Sequence, residues 1–352
     1  MPGMSSTISH GAYRHNKAAL MLIVGQECPP LIVIDGNTVT VGAMAFSANG
    51  GYLVSDGQSG PQVWRIKDAK EMARMEASEH VLCLAVSPDD RWIAAGMNKG
   101  IVVWSAESYE QVFSEGEITG DSTSGLHFSP DSTRLVVASK NGTASVWDIA
   151  TSERKLTLQH DMRWVVAVKY SPQGDRIATA TSLPGDPNRN DGFIRVWDST
   201  DGRLLMDIPV KIAPVHNSGL LWFNDHLFIL SDDKIREIDA STGSIVSDWP
   251  VPHRECNYFS CIALSQNGEF IAHSSGCEVT FWDTSTHTQL GLIHHPRMSS
   301  SDFDLDEQSR YYPRSIYSIA FSPDSQFLAI SGEGGVIAIQ HLSRIAVSII
   351  SR

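Results

Sequence analysis

Residues 127–148, HFSPDSTRLVVASKNGTASVWD, contain the unit that decides the fold. An apolar residue and a serine precede a Pro-Asp pair, which is typical of a reverse turn because proline presets the backbone and Asp tolerates the next position. A run rich in β-branched residues follows, then an Asn-Gly turn, then a second run that ends in Trp147-Asp148. Short runs of this composition between closely spaced turns predict antiparallel β-strands.

Copies of this unit recur along the chain at a nearly constant spacing. Their apolar segments end, in chain order, at Ser47, Ser87, Ser129, Ser171, Asn224, Ser265 and Ser322. The steps between these anchors are 40, 42, 42, 53, 41 and 57 residues. A period of this length is typical of a repeat architecture. Seven copies with four short runs each predict seven four-stranded sheets, and no amphipathic helical pattern competes with them.

The repeat resembles that of WD40 proteins. The resemblance rests on the Ser-Pro-Asp turns and on the ends of the third runs, Val63-Trp64, Val103-Trp104, Trp147-Asp148, Trp197-Asp198 and Trp282-Asp283. Ile238-Asp239 and Ile339-Gln340 are interpreted as the same position in two weakened copies. The resemblance implies an all-β fold, a seven-bladed β-propeller of four-stranded antiparallel blades around a central channel. We expect residues 1–30 to form a strand-like N-terminal extension and residues 31–352 a single propeller.

Within the WD40 family a His, a Ser or Thr, an Asp and the Trp form a hydrogen-bonded network inside a blade. The fourth blade alone carries the full set, which is His160, Thr179 or Thr181, Asp191 and Trp197. The resemblance implies a structural role for these residues, because the buried polar groups of such a network satisfy one another.

Both ends of the chain offer a strand that would close the ring. Residues 31–36, LIVIDG, precede the first inner strand as an outermost strand would, so we expect them to join the seventh blade. Residues 345–350, IAVSII, are an alternative for the same place. A shared blade would leave no open sheet edge and would need no disulfide.

The composition limits the classes of partner. Asp and Glu number 40 against 27 Lys and Arg, and the formal charge is −13. Such a surface disfavours direct binding to nucleic acid or to an anionic membrane and favours a basic protein or peptide. No run of about 18 apolar residues is present that would span a membrane. The five cysteines lack metal-binding spacing and are interpreted as reduced thiols of an intracellular protein, either cytoplasmic or nuclear.

No motif for nucleotide binding or catalysis occurs, so neither a catalytic residue nor a cofactor is expected. Two clusters invite a metal interpretation, Asp302 to Glu307 and His294-His295. The acidic segment lacks the glycine and the distal glutamate of a calcium loop, and the histidine pair lacks a third ligand at useful spacing. Both are interpreted as ordinary loop residues, and no metal site is predicted.

Two insertions break the period, from Leu183 to Asn190 in the fourth blade and from Arg297 to Arg314 between the sixth and seventh blades. The first joins a second strand to a third, and the second joins two blades. Loops of these two kinds open on the same face of a propeller. Long loops on a rigid scaffold are often functional, and this is the face on which WD40 proteins commonly engage partners.

The repeat register places aromatic residues at the start of inner strands on that face. Seven residues before the anchors stand Thr40, His80, Ser122, Trp164, Asn217, Tyr258 and Ser315. An exposed Trp or Tyr there indicates a partner, because aromatic residues and Arg are frequent binding hot spots. The predicted partner-binding residues are Trp164, Tyr258, Arg163, His80, Phe259, Tyr312 and Arg314. A tryptophan that caps its own blade is the alternative.

These features favour a non-enzymatic scaffold, a monomeric ring that binds a protein or peptide on its loop-rich face. Two other classes stay open. A recognition or sensor module of a larger multidomain protein would carry the same repeat. A propeller enzyme would need converging titratable groups at the mouth of the channel, where His80 is the single candidate.

Overall fold

The computed structural model describes residues 32–35, 40–57, 59–116, 122–161, 163–183, 191–212, 219–231, 234–251, 260–294, 315–332 and 335–342. The regular elements of this part of the chain are 28 β-strands. No helix that is long and apolar enough to cross a membrane occurs among these residues.

The strands form seven sheets of four antiparallel strands, which are the blades of a β-propeller. The predicted fold is therefore confirmed. Blades one to three consist of β2 (Met44–Phe46), β3 (Tyr52–Ser55), β4 (Gln62–Arg65), β5 (Lys70–Arg74); β6 (Val81–Val86), β7 (Trp92–Met97), β8 (Gly100–Ser105), β9 (Gln111–Glu115); β10 (Thr123–Phe128), β11 (Arg134–Ser139), β12 (Thr143–Asp148), β13 (Glu153–Gln159). Blades four and five consist of β14 (Trp164–Tyr170), β15 (Arg176–Ser182), β16 (Asp191–Asp198), β17 (Leu204–Lys211); β18 (Leu220–Phe223), β19 (His226–Ser231), β20 (Lys234–Asp239), β21 (Ile245–Pro250). Blades six and seven consist of β22 (Ile262–Leu264), β23 (Phe270–Ser275), β24 (Glu278–Asp283), β25 (Gln289–His294); β26 (Ile316–Phe321), β27 (Phe327–Gly332), β28 (Val336–His341) and β1 (Ile32–Asp35).

A buried serine explains the turn, Ser-Pro-Asp in three copies, that follows the innermost strand of six blades. The Ser129 hydroxyl donates to the Asp131 carboxylate at 2.5 Å and accepts from the N–H of Arg134 at 2.9 Å. In five other blades the backbone N–H five residues after the serine likewise donates to the serine hydroxyl. These serines are Ser47, Ser87, Ser171, Ser265 and Ser322. The fourth residue of these turns has a positive φ, which suits glycine and is tolerated by Asp. One serine thus fixes the hairpin that starts each of these six blades.

The hydrophobic core lies between neighbouring blades. At one junction Val136 and Val146 of blade three pack with Val165, Tyr170 and Trp197 of blade four. A comparable cluster of buried apolar residues occupies every one of the seven junctions around the ring. Burial of these surfaces is the main term that holds the blades together.

Five blades bury a tryptophan at the end of the third strand, namely Trp64, Trp104, Trp147, Trp197 and Trp282. In blade five Ile238 takes this position opposite Leu227. The prediction of Ile339-Gln340 for blade seven is wrong by one residue. Gln340 lies opposite Leu328, just as Trp282 lies opposite Ile271, so the equivalent pair is Gln340-His341.

Part of the predicted polar network of blade four is present. The indole N–H of Trp197 donates to Oγ1 of Thr179 at 2.9 Å, with both side chains buried. His160 is buried with its ring edge-on to that of Trp197 at 5.1 Å between centroids. Neither ring nitrogen of His160 has a hydrogen-bond partner among the described residues. The side chain of Asp191 lies outside them, so the network is confirmed for Thr179 and Trp197.

The start of the chain closes the ring. Strand β1 pairs antiparallel with β28, with Ile32 opposite Ile339 and Asp35 opposite Val336. The N–H of Val41 also donates to the carbonyl of Gly332 at 3.1 Å. The prediction that this segment supplies the outermost strand of the last blade is confirmed for residues 32–35. The alternative at residues 345–350 lies outside the described residues.

Candidate functional site

The upper face of the ring is the face on which the innermost strands begin and the second strands end. Trp164 is the first residue of β14 and lies opposite Ser182, the last residue of β15. The insertion leaves the blade directly after this pair, and its residues 184–190 lie outside the described residues. The turn between β11 and β12 reaches the same face, where the N–H of His160 donates to the carbonyl of Gly142 at 2.8 Å. Trp164 therefore lies on the predicted face, beside the start of the insertion.

Trp164 exposes 38% of its surface. The other large apolar side chains with comparable exposure all lie on outermost strands, and they are Met72, Val112, Leu204, Ile245 and Val246. Within the described part of the chain, Trp164 is the one aromatic residue of this set. Its ring is therefore not enclosed in its own blade.

Lys140 stands in the turn between β11 and β12 and lies over the exposed ring. Its Nζ is 5.3 Å from the centroid of the Trp164 ring. A cation above an indole face is held by the quadrupole of the ring, which contributes about 0.5–1 kcal/mol at an exposed site. The contact orients the ring and places a positive charge beside it.

A second aromatic ring on this face, that of Phe193, contacts two guanidinium groups. The Cζ atoms of Arg163 and Arg195 lie 4.7 and 5.7 Å from its centroid. Arg195 is buried and pairs with Asp207 at 3.1 Å and with Asp161 at 3.3 Å. Burial opposes the charge on Arg195, but the hydrogen bonds to Asp207 and Asp161 outweigh it and raise the pKa of the guanidinium. The charge of Arg195 is thus compensated within the blade.

His80 is exposed on the same face of blade two, directly before β6. The nearby Asp56 is buried and accepts hydrogen bonds from the N–H groups of Gly42 at 3.0 Å and Ala43 at 3.2 Å. Burial raises the pKa of Asp56 to about 6, although these bonds and His80 act in the opposite direction. Asp56 holds the start of the first blade, so its role is structural. Among the described residues no three His, Cys, Asp or Glu side chains lie close enough together to hold a metal ion.

The structure places three of the seven predicted partner-binding residues. Arg163 and Trp164 are neighbours on blade four, and His80 lies on blade two. The other four, Tyr258, Phe259, Tyr312 and Arg314, lie outside the described residues. Two residues of the face were missed by the sequence analysis, Lys140 and Phe193. Both adjoin turns between second and third strands, so the repeat register contained the signal that places them on this face.

Known proteins match the chain in its repeats. The family described as "WD domain, G-beta repeat" matches residues 71–105, 114–148, 152–198 and 308–339. The chain is 20% identical to apoptotic protease-activating factor 1 of Danio rerio over 86% of its own length and 23% of that protein. It is 28% identical to actin-interacting protein 1 of Drosophila melanogaster over 56% of its length and 33% of that protein. It is 19% identical to target of rapamycin complex subunit LST8 of Mus musculus, covering 62% of this chain and 67% of the other. The chain thus spans a quarter to a third of the length of the first two relatives.

The geometry and the matches together define a seven-bladed β-propeller with an exposed tryptophan, Trp164, on its upper face. Four regions of the chain match the repeat of the WD40 family, and the fold is that of a WD40 β-propeller. Propellers of this family generally act as non-catalytic scaffolds that bind other proteins.

Proposed function

We propose that the chain is a non-enzymatic scaffold that binds a protein or peptide on its upper face, with Trp164 at the centre of the contact. The observation that carries the proposal is the 38% exposure of Trp164 at the edge of the insertion. A large rigid ring contributes much contact area for little lost side-chain entropy. Tyr258, Phe259, Tyr312 and Arg314 would extend the same surface towards the loop between blades six and seven.

The charges around the ring support a partner of mixed charge. The net charge of −13 favours a basic segment and speeds its approach. Lys140 and Arg163 stand beside Trp164 itself, so the partner residue that packs on this ring is apolar and is flanked by an acidic group. An extended peptide with alternating basic and acidic residues around an apolar anchor fits both conditions.

The proposal includes an intracellular location and a monomeric ring. Cys83 and Cys261 carry free thiols, which is usual where glutathione keeps cysteines reduced. Two names among the relatives, actin-interacting protein 1 and a subunit of the target of rapamycin complex, describe proteins that contact other proteins.

A peptide library displayed on phage and selected against the immobilised chain tests the proposal. Selected peptides are expected to bind a Trp164→Ala, Tyr258→Ala double variant more weakly by about 2 kcal/mol or more, because hot-spot aromatics contribute on that scale. Val112→Ala is the matched control, since Val112 is similarly exposed but lies on an outermost strand. Melting temperatures of all variants should stay close to that of the parent.

Crosslinking of a selected peptide to the chain locates the contact independently. Crosslinks to blades three and four on the upper face support the proposal. Peptides that bind the double variant and the parent equally well, or that crosslink only to the opposite face, would refute it.

A further inference from the structure

The central channel holds a cavity of about 640 Å³ that the upper-face proposal does not use. It is bounded by the innermost strands of all seven blades, and its wall combines apolar and polar groups, with Phe46, Trp222, Phe223 and Phe321 among the apolar side chains. The same wall includes Lys169, and no other Lys, Arg, Asp or Glu is found among the described residues that line it. The cavity therefore presents one amine together with several aromatic side chains.

The amine of Lys169 has no ion-pair or hydrogen-bond partner in the described part of the chain. The nearest turns on this side of the ring carry Asp131 and Asp175, whose carboxylates accept from the hydroxyls of Ser129 and Ser171. Burial lowers the pKa of Lys169 to about 8, and no nearby carboxylate counteracts it. The amine is thus still protonated at neutral pH, as a cation that the protein leaves uncompensated. The Lys169 side chain is half-buried, so an anion that enters the cavity can pair with this charge.

A hydrogen-bond donor lies on the same wall. Nδ1 of His127 accepts from the N–H of Tyr170 at 3.1 Å, so the ring proton of the neutral imidazole resides on Nε2. Burial and the charge of Lys169 hold the pKa of His127 well below its usual value, which keeps the ring neutral. His127 and Lys169 both line the cavity. The cavity wall thus carries an N–H donor and an ammonium group.

We infer that the channel binds a small amphipathic organic anion, with its carboxylate at Lys169 and His127 and its apolar body along the aromatic wall. A carboxylate suits the two donors, and an apolar body suits the aromatic side chains of the wall. The site is separate from the upper face. Trp164 begins β14 and Lys169 is its penultimate residue, and five residues of extended strand span about 16 Å.

Octanoate is a suitable probe. Of the two controls, 1-octanol carries only the alkyl chain and inorganic phosphate carries only the negative charge. Isothermal titration of the full chain is expected to show octanoate binding more tightly than either control. Lys169→Met should weaken octanoate by about 10- to 100-fold, the range for loss of a charge-assisted hydrogen bond, and should leave 1-octanol nearly unchanged. Lys211→Met, on an exposed position of β17, should change neither.

A second measurement on the unmutated chain keeps the test independent of the folding of the variant. After reductive methylation with a ¹³C label, the pKa of Lys169 should rise when octanoate is added and should not rise with 1-octanol. Absence of octanoate binding, equal affinity for phosphate or 1-octanol, full affinity in Lys169→Met, or an unshifted Lys169 pKa in the presence of bound octanoate would each overturn the inference.

Discussion

Blade four and blade seven have the same four-strand arrangement but place different side chains at the buried end of the third strand. Blade four places Trp197 there, and the indole donates to Thr179. Blade seven places Gln340 at the equivalent point, and neither amide atom has a hydrogen-bond partner among the described residues. Blade four also builds all its strands from consecutive sequence, whereas blade seven borrows β1 from the start of the chain. A blade can therefore be held by its own polar contacts or by the topology of the ring.

The largest expected effect concerns the borrowed strand. Deletion of residues 1–36 removes β1 and leaves β28 with an open edge, which is a template for pairing with other chains. We expect the truncated chain to self-associate and to lose its single cooperative melting transition. Size-exclusion chromatography and calorimetry measure both properties. Deletion of residues 1–30 is the control, since it keeps β1, and a 1–36 deletion that stays monomeric and cooperative would show that topology does not hold blade seven.

Removal of the acceptor of Trp197 in blade four and of the amide of Gln340 in blade seven should change stability in opposite directions. Thr179→Val keeps the volume of the side chain but leaves the indole N–H of Trp197 without an acceptor. The substitution should therefore lower the free energy of unfolding by about 1–3 kcal/mol. Gln340→Met removes a buried amide that lacks a hydrogen-bond partner among the described residues. It should raise the free energy of unfolding by a similar or smaller amount. Urea unfolding monitored by tryptophan fluorescence compares the two. Equal signs would remove the distinction between the blades.

The smallest expected effect is on the pH dependence of stability. It compares blade four with blade one, since each contains a buried titratable side chain. Burial lowers the pKa of His160 in blade four from 6.5 to about 3, so its stabilising effect is complete above pH 6.5 and is lost as the pH falls towards 3. Burial raises the pKa of Asp56 in blade one from 3.8 to about 6, so its effect is complete below pH 3.8 and is lost as the pH rises through 6.

Between pH 5 and pH 7 the titration of His160 therefore raises the free energy of unfolding as the pH rises, whereas the titration of Asp56 lowers it. On a scale of about 1.4 kcal/mol per pKa unit, His160→Gln should remove a gain on the order of 2 kcal/mol over this range. Asp56→Asn should remove a loss on the order of 1 kcal/mol and make the rise with pH steeper. Unfolding free energies measured at pH 5 and pH 7 give both slopes. Parallel slopes in the parent and both variants would contradict the assignment.

The fold was predictable because each repeat carries its own turn chemistry. The Ser-Pro-Asp segments mark the hairpins without reference to the rest of the chain, since one serine makes the bonds that define each turn. The error at Ile339-Gln340 arose where the aromatic that marks the strand end is replaced. A strand without that marker has no local signal for its register, and a shift of one residue exchanges its two faces.

The candidate site was predictable to a smaller extent. Trp164 follows from the repeat register, but its partner Lys140 belongs to the preceding blade, and contacts between blades depend on how the ring assembles. Lys169 gave no signal at all. A lysine between apolar residues in a strand looks solvent-facing in the sequence, and only the closed ring shows that the side chain lines a channel.

The pairing of β1 with β28 also has a consequence for folding during synthesis on the ribosome. Ile32 is synthesised about 300 residues before its partner Ile339. At translation rates of about 5–20 residues per second, the first strand waits for roughly 15–60 s until its neighbour emerges. During this interval blades one to six are synthesised. The apolar segment β1, which belongs to blade seven, must not pair with any of them. Slowed translation or delayed release should therefore raise the yield of misassembled chains more in this protein than in a propeller that completes every blade from consecutive sequence.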